Sequence, residues 1–166
     1  CVNWPAQMGR SEKFLAALAV LLTFSYVLLR AIHVPTFHDE AATFFHYIVS
    51  EKFLPYQAHW DANNHLLNSA LGHFCYKVIG PQLWSIRLPN MLAFLLYGYF
   101  SVRISARIKR RFLRWMLLLA LLTAAFPLEF FSQARGYGMS LAFLLAALFS
   151  IFKYIRSHYL QDQLLV

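Results

Sequence analysis

Four long apolar segments restrict this chain to few kinds of fold. They cover about residues 14–32, 86–104, 115–131 and 137–155. A helix needs roughly 20 apolar residues to cross a bilayer, and only helices and closed barrels satisfy their backbone hydrogen bonds inside lipid. Only 13% of the 166 residues are charged, against about 25% in a typical soluble domain. The sequence therefore predicts an all-α, polytopic transmembrane helical bundle with four spans.

Basic residues are concentrated between the second and third apolar segments. Six of the 15 Lys and Arg residues lie from the end of the second segment to the start of the third: Arg103, Arg107, Lys109, Arg110, Arg111 and Arg114. Cytoplasmic loops are enriched in Lys and Arg, so we expect this loop and the amino terminus to be cytoplasmic. The loop at about 33–85 and the turn at 129–135 then face outward. The cluster lacks the interleaved aromatic residues that stack on bases, which argues against nucleic acid as a partner.

The predicted outer loop has a helical pattern of its own. Apolar residues recur at helical spacing over 41–49 and over 66–78. Polar residues interrupt both stripes, so neither segment is apolar enough to span a bilayer. Both are typical of amphipathic helices lying in the membrane interface, and a polar and aromatic turn region at 51–64 connects them.

Asp39 and Glu40 form the most prominent polar motif, close behind the first apolar segment. In a structural interpretation, Asp39 caps a helix and Glu40 suits its first turn. In a catalytic interpretation, a carboxylate at the membrane surface takes a proton from an acceptor. The two interpretations are compatible, and the residues alone do not separate them.

Asn64 and His65 precede the second amphipathic helix. With Trp60 and Asp61 they form a mixture of groups that suits sugar binding. The same mixture is also typical of a polar segment at the start of a helix. Because metal-ligand spacing such as H-E-x-x-H is absent, no residue is assigned to a metal. The outer histidines and acids leave a bound divalent ion open.

Arg135 is the only basic residue in the turn at 129–135. A guanidinium at the membrane surface suits a lipid-linked phosphate, and Tyr137 adds a hydroxyl donor. Alternatively, Arg135 pairs with Glu129 and only anchors the end of a span. Arg87, at the start of the second apolar segment, is a weaker phosphate candidate.

The motifs Asp39-Glu40, Asn64-His65, Arg87-Leu88-Pro89 and Ala134-Arg135-Gly136-Tyr137 occur in this order. In that order, and over about residues 14–154, the chain resembles the amino-terminal part of the polytopic GT-C glycosyltransferases. The similarity is to the group related to protein O-mannosyltransferases and to aminoarabinose transferases of lipid A. The chain departs from that group at Leu66-Leu67, where the family often has prolines.

The resemblance implies a glycosyltransferase that moves a sugar from a polyprenyl-phosphate donor to an unknown acceptor at the extracytoplasmic face. It implies Asp39 as the base on the acceptor hydroxyl and Glu40 as the group that orients the acceptor. Arg135, helped by Tyr137, would stabilise the departing lipid phosphate. Asn64 and His65 would line the sugar or acceptor pocket.

The resemblance also implies a multi-pass protein of the bacterial inner membrane. Such enzymes are longer, and the chain begins with Cys1 and ends at Val166, so we expect residues 1–166 to be the amino-terminal part of one domain. A transporter subunit and a non-catalytic membrane scaffold stay open as alternatives. Ionisable residues at mid-span would favour transport, whereas the charges of this chain lie mostly at the ends of the apolar segments.

Overall fold

A computed structural model describes residues 8–61 and 63–164, with side chains described as far as Arg156. Cys1 and Val166 lie outside these residues. The described part is all-helical and contains no strand. Its elements are α1 (Arg10–His33), α2 (His38–Thr43), a π-helical segment (Phe44–Val49), α3 (Leu66–Ile79), α4 (Leu83–Ser105), α5 (Arg111–Thr123), α6 (Ala125–Phe131) and α7 (Tyr137–Leu164).

Helix α4 is the centre of the fold and contacts α1, α3, α5, α6 and α7. The core around it contains Val27 of α1, Phe94 and Tyr97 of α4, and Phe131 of α6, with the aromatic rings in mutual contact. We call the end where α1 stops and α4 and α7 start the loop end. The opposite end, which carries the Arg103–Arg114 cluster, is the basic end.

The prediction of four spans is not confirmed. Two helices, Arg10–His33 and Tyr137–Arg156 of α7, are long and apolar enough to cross a membrane, and α5 with α6 would count as a third if they form one bent span. Helix α4 is long enough, but it does not meet the apolar requirement. The physical reason is that α4 carries polar residues which face the other helices, among them Ser85, Asn90 and Ser101.

The predicted third span is broken between Thr123 and Ala125. Helices α5 and α6 are bent by 45° relative to each other, and Ala124 between them has extended backbone. Pro127 explains the position of the break, because proline has no N–H to donate to the carbonyl one turn earlier. The break turns α6 across the loop end of the bundle, against α4 and α7.

Helices form at both predicted interfacial segments, but the first has an unexpected geometry. Residues 44–49 are π-helical, a rare form that is often found at functional sites. Thr43, Tyr47 and Ile48 are buried, whereas Phe45 is 66% exposed, so the predicted apolar stripe does not pack as one face. In α3 the polar Asn68 and Ser69 are buried, while Leu67 and Phe74 are exposed.

One carboxylate connects α1 with α5 at the basic end. Glu12 of α1 pairs with Arg111 and Arg114 of α5, at 2.8 and 2.5 Å. Arg114 also donates to the carbonyl oxygens of Ile108 and Lys109, and only 4% of its side chain is exposed. This ion-paired cluster fixes the loop between α4 and α5 against the start of α1.

Gly98 allows α1 and α4 to approach closely. A Cβ at this position would lie 2.7 Å from Cγ1 of Val20. We therefore expect Gly98→Ala to destabilise the fold by about 1–3 kcal/mol through overpacking. Thermal unfolding in detergent tests this, with Gly9→Ala as the matched control, because a Cβ there meets nothing within 4 Å. Equal unfolding midpoints for the two variants would contradict the contact.

Candidate functional site

A buried ion pair lies at the centre of the loop end. The Nε and Nη2 atoms of Arg87 in α4 donate to Oε1 and Oε2 of Glu40 in α2, at 2.7 and 2.5 Å. Neither side chain has any exposed surface. A bidentate pair of this kind is among the strongest protein hydrogen-bond arrangements, and it ties the second helix to the centre of the bundle.

The remaining N–H groups of Arg87 are also occupied. Nη1 donates to the carbonyl oxygens of Ala31 and Val34, at 2.9 and 2.8 Å, and Nη2 donates to that of Pro35 at 3.3 Å. Since a guanidinium has five donors, Arg87 has none left for a substrate. The contacts that Arg87 and Glu40 make are therefore structural, and they lend no support to the phosphate role that the sequence suggested for Arg87 or to the acceptor-orienting role that it suggested for Glu40.

The turn before α7 is held from three helices. The backbone N–H of Ala134 donates to Oε1 of Glu40 at 2.7 Å. Asn68 of α3 donates to the carbonyl oxygen of Ala134 at 3.0 Å. Asn90 of α4 donates to the carbonyl oxygens of Gln133 and Arg135. These hydrogen bonds fix the backbone around Arg135 independently of the contacts that its side chain makes.

The structure brings Asp39 and Arg135 together. Glu40 binds Ala134, so their chain neighbours, Asp39 and Arg135, also meet, and Nη2 of Arg135 lies 2.8 Å from Oδ2 of Asp39. Unlike the buried pair, these side chains are 20% and 39% exposed, Arg135 and Asp39 respectively. The alternative pairing of Arg135 with Glu129 is not observed. The guanidinium instead lies over the ring of Tyr137, 4.9 Å from its centroid.

The exposed ion pair lines an open cleft of about 380 Å³, which we call the Asp39 cleft. Its other lining residues come from the start of α2, from α6 and from the turn that follows: Phe37, His38, Phe126, Glu129, Phe130 and Gln133. Glu129 accepts a hydrogen bond from Nε2 of Gln133 at 3.3 Å. The cleft thus combines a cation, two carboxylates and three aromatic walls.

A second cleft, of about 330 Å³, is lined by His65 and by Gly136 of the same turn, and we call it the His65 cleft. His65 contacts Tyr137 edge to face, with ring centroids 4.6 Å apart. Gly136 permits this contact, because a Cβ there would lie 2.4 Å from that of His65. Burial, followed by the positive charge of Arg135, lowers the pKa of His65 below its usual range, which favours the neutral imidazole.

The remaining predicted residues have mixed outcomes. Asn64 lines the His65 cleft, but its amide already donates to the carbonyl oxygen of Phe53 at 3.0 Å. Lys77 pairs with Glu51 at 2.6 Å on the surface. Within the described residues no three His, Cys, Asp or Glu side chains cluster to hold a metal ion, so we derive no step through a metal.

Sequence reasoning missed Asn90, Asn68 and the cleft position of Glu129. The sequence did contain a signal for Asn90. A polar amide inside an apolar segment costs free energy unless it is hydrogen-bonded, and such residues often have a function. Glu129 gave no comparable signal. Its place in the Asp39 cleft depends on the break before α6, which turns this helix across the loop end.

The buried pair predicts a large and non-additive effect of mutation. Glu40→Gln and Arg87→Met should each destabilise the protein by about 3–5 kcal/mol, because each leaves a buried charge without its partner. The double variant should lose clearly less than the sum of the single losses. Chemical unfolding in detergent measures this. Glu51→Gln, in the exposed pair with Lys77, is the control and should have no measurable effect, and additive single losses would contradict the assignment.

The lowered pKa of His65 predicts a pH dependence of stability. The unfolded chain takes up the proton near the ordinary pKa of 6.5, while the folded chain takes it up only at lower pH. The free energy of unfolding should therefore fall as the pH falls from 6.5 through the lowered value. When the free energy of unfolding is plotted against pH below 6.5, the slope should be smaller for His65→Phe than for the wild type. Identical slopes would contradict the buried, neutral imidazole.

Comparison with known proteins gives no relative that defines this site. No protein-family model, curated protein or solved structure matches the chain.

Proposed function

We propose that the chain is the amino-terminal part of a membrane glycosyltransferase that uses a polyprenyl-phosphate-linked sugar. The observation that supports this most is the ion pair of Asp39 and Arg135 in an open cleft at the loop end. A carboxylate and a guanidinium in one cleft are the two groups that such a transfer needs, a base for the acceptor and a cation for the departing phosphate.

Arg135 binds the donor phosphate in this proposal. Its backbone is fixed on both sides by Glu40 and Asn90, and its guanidinium lies over Tyr137. A guanidinium recognises phosphate oxygens through two parallel N–H bonds. Because negative charge grows on the phosphate as the glycosidic bond breaks, a fixed cation stabilises the transition state more than the ground state.

Asp39 is the base in this proposal. When the phosphate takes the guanidinium, the carboxylate of Asp39 loses its partner and can accept a proton. The acceptor oxygen then attacks the anomeric carbon, the bond from that carbon to the phosphate oxygen breaks with its electron pair on the phosphate, and the acceptor proton passes to Asp39. The products are the glycosylated acceptor and the polyprenyl phosphate.

The other residues of the Asp39 cleft suit a sugar. Phe37, Phe126 and Phe130 supply flat apolar walls, and Glu129 and Gln133 supply a hydrogen-bond acceptor and a donor. Sugars present apolar ring faces and directional hydroxyls, so this lining matches both of their surfaces. Glu129 takes the place in the site that the sequence suggested for Glu40.

The membrane arrangement in this proposal has four spans. Helix α4 crosses the bilayer with its polar residues, such as Asn90, buried against the other helices and with an apolar face, including Leu92 and Leu95, exposed to lipid, and α5 with α6 crosses as one bent span. The basic end faces the cytoplasm, following the enrichment of Lys and Arg in cytoplasmic loops. The loop end and both clefts then lie at the extracytoplasmic surface of a bacterial inner membrane, at the depth of lipid phosphates.

Mutation of Arg135 and mutation of Asp39 should affect phosphate binding differently. Arg135→Gln should weaken binding of farnesyl phosphate by about tenfold or more, because a charge-assisted pair is lost. Asp39→Asn should bind it as tightly as the wild type or more tightly, since no carboxylate then competes for Arg135. Both variants should lose sugar transfer from a polyprenyl-phosphate donor in the full-length protein, by at least about tenfold.

Farnesol measures binding that does not depend on the phosphate, and Glu51→Gln is the control for an ion pair outside the clefts. Binding by isothermal calorimetry and transfer of a radiolabelled sugar provide the two measurements. Equal farnesyl phosphate affinity in the wild type and in Arg135→Gln would refute the phosphate site. Unchanged transfer in Asp39→Asn would refute the assigned base.

A further inference from the structure

An open groove, which we call the Lys13 groove, runs between α1 and α4 and has a volume of about 320 Å³. Val20 and Leu21 of α1 and Leu95 and Val102 of α4 line it. Leu21 and Leu95 are 57% and 38% exposed. Because α1 is long and apolar enough to cross a membrane, the groove would open toward lipid chains in a bilayer.

The basic end of this groove is positively charged. Lys13 is the only charged residue of its described lining. Helices α1 and α4 run in opposite directions, and they meet where a Cβ at Gly98 would lie 2.7 Å from Cγ1 of Val20. Since a helix rises about 1.5 Å per residue, Lys13 lies about 10 Å from this contact and Arg103 about 8 Å from it, both toward the basic end. The two cations are therefore at nearly the same level.

Aromatic rings hold Arg103 beside the groove. Its Cζ atom lies over the rings of Tyr99 and Phe149, 5.7 and 5.3 Å from their centroids, and Tyr99 belongs to the groove lining. A ring face attracts the guanidinium by its charge and does not use the N–H groups as a hydrogen-bond acceptor would. Arg103 can therefore still donate hydrogen bonds to an anion.

No carboxylate of the described side chains neutralises these two cations. Glu12 pairs with Arg111 and Arg114, and none of the ion pairs among the described residues includes Lys13 or Arg103. A second copy of the chain could cover the groove with apolar side chains. It would bring no further described carboxylate to this end, because Glu12 is already paired.

We propose that the Lys13 groove binds an anionic phospholipid, with one acyl chain along the groove and the phosphate between Lys13 and Arg103. Such a lipid combines the apolar chain and the negative charge that the two parts of the site require. Basic pockets between transmembrane helices bind anionic headgroups in this way. A zwitterionic lipid would bring its own cation to a place that already has two. The site lies at the end of the bundle opposite the Asp39 cleft, so it does not depend on the proposed function.

Native mass spectrometry of the full-length protein, released from detergent micelles, tests the charged part of the site. Phosphatidylglycerol should bind about tenfold more tightly than phosphatidylcholine with the same acyl chains. The double variant Lys13→Gln, Arg103→Gln should lose this preference, because each Lys or Arg near an anionic lipid contributes about fivefold. The matched control is Lys109→Gln with Lys153→Gln, which removes the same charge from two exposed residues outside the described lining and should keep the preference.

A substitution that fills the groove tests its apolar part. Ala17, an exposed residue of α1, lines the groove, whereas Ala147 is exposed on α7 outside the described lining. Ala17→Phe should lower phosphatidylglycerol binding about fivefold or more, and Ala147→Phe should leave it unchanged. Glycerol 3-phosphate carries the charge without the chains and should not compete. Competition by glycerol 3-phosphate, or equal binding in Ala17→Phe and the wild type, would overturn the role of the acyl chain.

Two further outcomes would overturn the lipid site. One is a preference for phosphatidylglycerol that survives in the double variant of Lys13 and Arg103, or that is lost equally in the control. The other is a dimer that Ala17→Phe dissociates, without any lipid preference, which would assign the groove to a second copy. Arg135→Gln should leave phosphatidylglycerol binding unchanged, so that farnesyl phosphate binding which ignores Arg135 would refute the proposed function and not this site.

Discussion

The buried ion pair of Glu40 and Arg87 is the interaction on which the loop end depends. Arg87 uses all five N–H groups, on Glu40 and on three carbonyl oxygens at the end of α1. Such a pair is tolerated in the interior only when every donor has a partner. Glu40 in turn binds the backbone of Ala134, so one buried carboxylate connects α1, α2, α4 and the turn before α7.

The positions of the functional candidates follow from this connection. Asp39 and Arg135 are chain neighbours of Glu40 and Ala134, and they form a second ion pair beside the first. The guanidinium of the buried pair has no free donor, whereas the exposed pair lines an open cleft and can exchange partners. In the proposed reaction the first pair supplies rigidity and the second supplies chemistry, which is consistent with a site whose geometry is set before substrate arrives.

Much of the fold follows from the sequence because long apolar segments have few alternatives. Helices cover all four predicted segments, and α1 and α7 are candidate spans as predicted. The limits of this reasoning appear at α4. Its segment is long enough to predict a span, but hydropathy takes no account of the neighbouring helices. These helices cover polar residues such as Asn90, so that lipid does not contact them.

The site was harder to predict than the helices, for a geometric reason. Asp39 and Glu40 are adjacent and chemically similar, but successive residues of a helix point in directions about 100° apart. One carboxylate of α2 therefore faces the core and the other faces the cleft, and the sequence alone does not determine which. The same limit applies to Arg87 and Arg135: the side chain of Arg87 has no exposed surface, whereas that of Arg135 is 20% exposed and lines the Asp39 cleft.

The central claim is that a lipid phosphate binds to Arg135, and a distance measurement tests it most directly. Solid-state NMR dephasing between ³¹P of bound farnesyl phosphate and ¹⁵N of arginine side chains detects this contact. We expect strong dephasing for one guanidinium at about 4 Å, as in a direct phosphate pair, and its loss in Arg135→Gln. Dephasing that persists in this variant, or that is absent while the ligand is bound, would contradict the account.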